Sequence, residues 1–212
     1  MGCWRGSLAE CWSAPYACLV PLEVPLELVR SPAGGSLRCE GTVVVEAVPT
    51  AISVTAPPPV DFQAAAHAMA SSPAMDPRHP FPTCFVCAPR RGIHDGLRIF
   101  PASGDGGVHL ASWVPDPEFG DSESNSEAFL RPEILWAALD CPTGFAAGFP
   151  TAGKLVTGRL AVQQLKPIRT GAGCVLISWP LEVEGRKHFS AACLYQNAML
   201  CAVARATWIK IG

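Results

Sequence analysis

The stretch RPEILWAALDCPTGF, residues 131–145, decides how the rest of the chain is read. Pro132 stands where a helix begins, because a first-turn N–H has no partner to lose and the fixed φ suits the turn. Glu133 follows where the helix dipole favours negative charge. Ile134, Leu135, Ala138, Leu139 and Phe145 form an apolar stripe, and the segment is largely apolar all round, which predicts burial. Pro142 lacks a donor and crowds the preceding turn, so the helix should kink or split there.

Four strand-like runs follow this helix: Leu155–Leu165, Cys174–Val183, Lys187–Gln196 and Leu200–Ile211. Pro167–Gly173, Glu184-Gly185 and Asn197-Ala198 separate them as turns. Leu97–Pro101 and Val108–Val114 are shorter strand candidates ahead of the helix. Two strands, a buried helix and four long antiparallel strands make an α+β pattern, a sheet wrapped around a helix.

The text upstream is different. From Tyr16 to Arg30 the residues alternate, with Leu22, Val24, Leu26 and Leu28 opposite Glu23 and Glu27, as in a half-buried strand. Pro21 and Pro25 make it an edge or irregular one. Leu37–Val48 reads as a second strand around Thr42–Val45. Pro57-Pro58-Pro59 cannot lie inside a sheet, and Asp61 can cap a short helix through Ala64–Ala70 that Ser71-Ser72-Pro73 ends. The expected organisation is a partial N-terminal unit over 1–56, a Pro-rich linker with a short helix over 57–79, and the main domain over 80–212.

Composition narrows the function classes. Of 212 residues, 49% are hydrophobic and only 16% charged, against about 25% in an ordinary domain, which excludes a disordered, solvating chain. Sixteen Lys and Arg against 18 Asp and Glu leave a net charge of −2, with no basic run for nucleic acid or a membrane surface. The longest apolar runs, Ile134–Leu139 and Ala198–Ala204, fall far short of the roughly 18–20 residues of a membrane span. No ordered signal-peptide pattern is seen. The expectation is a soluble, cytoplasmic protein. Ten cysteines are too few for a disulfide scaffold and sit in apolar runs, as buried free thiols do.

Several segments resemble one family. Ala137-Ala138-Leu139-Asp140 with Gly144 is similar to the "A-L-A-D-x-x-x-G" helix of hot-dog fold acyl-CoA thioesterases related to phenylacetate-pathway thioesterases. Leu160-Ala161-Val162 before Lys166-Pro167-Ile168-Arg169-Thr170-Gly171 resembles their strand and "p-v-r-x-G" turn. Glu184-Gly185-Arg186-Lys187 resembles their hairpin, and Leu200–Thr207 their last strand. Cys84-Phe85-Val86-Cys87 followed by Gly96-Leu97-Arg98-Ile99-Phe100 is similar to "C-x-x-C-G…G-L-x-x-x-F", with Ala88 in place of the glycine. The resemblance covers about Pro80 to Ile211. It implies a hot-dog fold, an acyl-CoA or related thioester as partner, no cofactor, and a homodimer, since an exposed sheet edge is usually covered by another unit. It also extends to actinobacterial proteins built as two fused hot-dog repeats. In that light, Leu8–Trp12 would be the helix of an incomplete first repeat, and Tyr16–Arg30 and Leu37–Val54 its strands.

The chemistry centres on Asp140. A carboxylate on a buried helix is costly unless paired or functional. It can activate water for attack on a thioester, attack the carbonyl itself, or simply bond nearby amides. The resemblance implies His-Gly-Gly at the helix start, with a backbone N–H polarising the carbonyl. Here those positions read Arg131-Pro132-Glu133, and proline has no N–H. Hence the alternative: a non-catalytic acyl-CoA or lipid-binding module. Glu133 is either a second carboxylate toward substrate or a helix-terminus stabiliser; Arg131 meets a CoA phosphate or is a solvated loop arginine. Thr157 and Ser190 are strand hydroxyls that can face the helix and hold a water or carboxylate. Cys84-x-x-Cys87 lacks the second C-x-x-C of a common structural zinc site, and His79 and His94 match no common spacing. It also lacks the strand-to-helix context of a redox pair. Packed turn thiols and no metal are expected.

Overall fold

A computed structural model describes residues 23–76, 79–92, 94–121 and 128–211, and the backbone of 11–15. The strands are β1 (Cys11–Pro15), β2 (Glu27–Ser31), β3 (Gly34–Cys39), β4 (Thr42–Pro49), β5 (Ala102–Ser103), β6 (His109–Trp113), β7 (Leu155–Gln164), β8 (Cys174–Glu184), β9 (Lys187–Gln196) and β10 (Met199–Lys210). Helix α1 spans Phe62–Met69 and α2 spans Pro132–Ala146. The strands form one antiparallel sheet, ordered β2-β3-β4-β1-β7-β10-β9-β8-β6-β5.

Helix α2 touches β6, β7, β8, β9 and β10. One helix meets five successive strands only if the sheet curves around it, so this is the α+β hot-dog arrangement. Small inward residues on β9 and β10, among them Ala192, Ala202, Ala204 and Ala206, are fully buried and leave room for the helix. The approach is tightest at Gly144, where a Cβ would stand 2.9 Å from Trp208. The expected split at Pro142 does not occur, and α2 runs unbroken through it. Its last turns are held from outside the backbone ladder. Ser190 Oγ on β9 donates to Thr143 O at 2.7 Å, and Trp208 Nε1 on β10 donates to Thr143 Oγ1 at 2.9 Å.

The β8–β9 and β9–β10 hairpins turn as their sequences suggest. Asn197 and Ala198 both take positive φ, 52° and 60°, the conformation that matches strand twist in a two-residue turn. Leu97–Pro101 forms no strand. Instead the N–H groups of Leu97 and Ile99 donate to Phe85 O and Val86 O at 2.8 and 2.9 Å, tying that segment to the Cys84–Cys87 loop.

The N-terminal strands differ more from expectation. Cys11 and Trp12 are strand, not helix, with β1 paired to both β7 and β4; residues 8–10 lie outside the described residues. Of the Tyr16–Arg30 run, 16–22 lie outside as well, and the strand begins only at Glu27. Leu37–Val48 is not one strand but parts of two, because Glu40 and Gly41 at φ 48° and 79° close a β3–β4 hairpin. Asp61 caps α1, accepting from the N–H of Gln63 and Ala64 at 2.8 and 3.1 Å. The segment around it covers the outer face of the sheet. Ile52, Val54, Val60 and Phe62 pack on Leu110, Ile177, Cys193 and Val203, and Tyr195 Oη donates to Pro57 O at 2.6 Å. Proline bars these residues from a ladder, not from apolar packing.

Candidate active site

The C-terminal half of α2, the start of β7, Trp208 of β10 and the loop from Pro80 to Cys87 line a pocket of about 480 Å³, a size suited to a small-molecule ligand. Its apolar wall is Phe81, Phe145, Phe149, Leu155 and Trp208; its polar groups are Thr83, Cys84, Cys87, Asp140, Cys141 and Thr157. Phe149 organises the wall, stacking on Phe81 at 6.0 Å and meeting Phe145 and His79 edge-on at 5.2 and 5.5 Å.

Asp140 lies in the wall of this pocket. Thr157 Oγ1 donates to its Oδ1 at 2.9 Å, so a β7 hydroxyl fixes the carboxylate on the helix. Thr143 Oγ1 donates to Asp140 O at 2.6 Å while accepting from Trp208, which fixes the backbone beneath it. Burial pushes the carboxyl up to about 6, against the smaller opposing effect of the Thr157 hydrogen bond. Desolvation penalises the charged form, and one neutral hydroxyl does not offset that.

Beside Asp140 is a cluster of thiols. Cys141 Sγ lies 3.5 Å from Cys84 Sγ, and the sulfurs of Cys84, Cys87 and Cys141 lie within 4.8 Å of one another. Hydrogen bonds from Cys141 and Cys87 draw Cys84 far below the ordinary thiol range. Cys141 is pushed up by its bonds to Cys84 and Cys87 and by burial. Cys87 is drawn down by Cys141, but its bond to Cys84 and its burial outweigh that and raise it. The three thiols are thus coupled to one another through these contacts and through their burial. Sequence reading weighed Cys84 with Cys87 and missed their third member. Cys141 is 57 positions from Cys84, and only its place beside Asp140 in the helix hinted at the pocket.

The other candidate residues lie elsewhere. Arg131 Nε is 3.5 Å from Glu133 Oε1, and neither residue lines the pocket. Asp140 lies seven helical positions beyond Glu133, about 10 Å along the axis. No group at the start of α2 therefore reaches a carbonyl held at Asp140 of the same chain. Ser190 faces the helix but is spent on Thr143 O. Only Thr157 joins Asp140 in the pocket.

A curved antiparallel sheet about one helix, with a carboxylate on that helix at an apolar pocket, defines the class of fold. No protein-family profile matches the chain, and no curated protein does. Solved structures do. A thioesterase superfamily protein aligns at TM-score 0.47 and 13% identity, over 54% of this chain and 57% of its own. A phenylacetic acid degradation-related protein of Ralstonia eutropha JMP134 aligns at 0.47 and 19%, over 54% and 86%. A thioesterase superfamily protein of Shewanella loihica PV-4 aligns at 0.43 and 24%, over 55% and 92%. The chain thus spans little more than half of the first of these.

Proposed function

We propose that this protein hydrolyses an acyl-CoA thioester, with Asp140 as the catalytic carboxylate. The observation that carries the reading is Asp140 itself, held by Thr157 in the wall of an apolar pocket. The acyl chain lies along Phe81, Phe145, Phe149 and Trp208. Asp140 takes a proton from water as the water oxygen adds to the thioester carbonyl carbon. The tetrahedral intermediate then collapses, the C–S bond breaks, and the proton passes to the departing CoA sulfur.

A second reading is binding without turnover: Pro132 leaves the start of α2 without one N–H, which bears on turnover only where the helix start of a second chain in the proposed homodimer faces Asp140. The assay is a panel of acyl-CoAs measured for both binding and hydrolysis with the purified full chain. Turnover of at least one thioester supports the first reading; saturable binding with no thiol release supports the second.

Arg131, Glu133 and Ser190 are not assigned a part, because their side chains stand outside the pocket. The proposal includes a homodimer formed across a sheet edge. Among the described residues, β2 and β5 end the sheet, and β8 runs past its pairing with β6, leaving Leu181 and Val183 exposed. It also includes a cytoplasmic setting. The cysteines with described side chains, Cys39 through Cys201, are free thiols, as a reducing compartment keeps them. Among the described residues no helix is long and apolar enough to cross a membrane.

A further inference from the structure

Cys84 and Cys87 come from a loop and Cys141 from α2, yet their three sulfurs fall within 4.8 Å of one another. In a tetrahedral zinc site, Zn–S bonds of about 2.3 Å set the sulfurs about 3.8 Å apart. The Cys84–Cys141 distance of 3.5 Å is already close to that, and small side-chain rotations close the remaining edges. Two of the thiols have the C-x-x-C spacing at which one turn presents two thiolates to a metal. The loop is shaped independently of any ion. Cys84 N–H donates to Phe81 O at 3.0 Å and Ala88 N–H to Cys84 O at 3.2 Å, and Phe85 O and Val86 O are tied to Leu97 and Ile99.

His79 adds an independent observation. It is buried, and its Nδ1 accepts the Phe81 N–H at 3.1 Å. A neutral ring therefore carries its proton on Nε2, which lies 3.6 Å from Cys87 Sγ. A buried N–H aimed at sulfur is what a thiolate needs and a merely packed thiol does not. It is also how outer partners hold metal ligands.

We infer that Cys84, Cys87 and Cys141 bind one zinc ion as thiolates, with His79 hydrogen-bonded to Cys87 outside the coordination sphere and water from the pocket as fourth ligand. Three soft ligands select zinc over magnesium or calcium. Among the described residues, no histidine, aspartate or glutamate atom joins all three sulfurs within 4.8 Å. All three cysteines line the pocket beside Asp140, so an exchangeable ligand has a way in. Three protein ligands plus an open position is the pattern of a metal site that takes up a small molecule rather than a purely structural one.

The test needs no acyl-CoA, so its failure is distinguishable from failure of the hydrolase reading. The full chain is incubated with zinc in reducing buffer, desalted, and its metal measured by elemental mass spectrometry. One zinc per chain is expected for the native protein and for Cys39→Ser, with most of it lost in Cys84→Ser and Cys141→Ser. Circular dichroism checks folding; if Cys141→Ser does not fold, the loop variant Cys84→Ser carries the comparison. Replacing zinc with cobalt(II) should give tetrahedral absorption with sulfur-to-metal charge transfer, and a small thiol should shift it by displacing the water. No zinc in the native chain, or equal zinc in the loop variant, overturns the site. So does a Cys84–Cys141 disulfide that persists in reducing buffer. A cobalt spectrum indifferent to added thiol overturns the open position and places His79 on the metal.

Discussion

Asp140→Asn separates a working carboxylate from a structural one, because the two roles predict opposite changes in stability. Burial raises the Asp140 carboxyl from 3.8 to about 6 in the folded chain. A carboxyl whose folded pKa lies above its unfolded value favours the native state most when protonated, below about pH 4. That advantage is lost as pH rises through the folded pKa near 6. A shift of about two units corresponds to roughly 3 kcal/mol, an upper bound for the stability withheld at pH 8. Asparagine is nearly isosteric, still accepts from Thr157 and carries no charge. Asp140→Asn should therefore be more stable than the native protein at pH 8, by about 1–3 kcal/mol, and nearly equal to it at pH 4. Urea unfolding at the two pH values measures this, with both proteins reduced and chelator-treated so that the neighbouring thiols are in one state. Hydrolysis of a turned-over acyl-CoA should fall by about 10²-fold or more. An Asn variant that is less stable at pH 8 and still active would refute the reasoning and leave Asp140 as a bonding partner of the helix.

Three other outcomes follow from the packing and charge. Gly144→Ala gains about 1 kcal/mol of helix propensity. Its Cβ, however, would press within 2.9 Å of Trp208, whose ring cannot swing freely while Nε1 is bonded to Thr143. Overpacking of about 1–3 kcal/mol should win, and a lowered Tm checks it; a raised Tm means that β10 yields. Burial lowers the His109 pKa and its Nδ1 has no partner. Its neutral form is thus favoured in the fold, and its contribution to stability is lost as pH falls below about 6.5, the unfolded value. His109→Gln should lose less stability than the native chain between pH 7.5 and 5 in urea titrations; parallel profiles would remove His109 from the acid response. Light scattering at micromolar concentration should give about twice the 22.4 kDa chain mass, and a monomer would end the dimer proposal.

The residue pattern alone determined the central helix, its buried character and the four strands after it. Those features are local: helix and strand periods are written into runs of ten to fifteen residues, and Pro132, Glu184-Gly185 and Asn197-Ala198 punctuate them. The pairing of Asp140 with a strand hydroxyl was visible only as a set of candidates. Register decided among them, bringing Thr157 to the carboxylate and turning Ser190 to a helix carbonyl. Arg131 and Glu133 looked near to Asp140 because they share its helix, yet two turns of rise carry them out of the pocket. The β3–β4 hairpin was missed because Glu40-Gly41 is an ordinary pair of residues until both must take positive φ. The proline-rich segment read as a linker because proline excludes a ladder, while its apolar side chains had a sheet face to cover that no local pattern shows. The third thiol was hidden most completely. Cys141 meets Cys84 across 57 positions, and a contact of that kind exists only once the sheet has curved and set the helix against the loop.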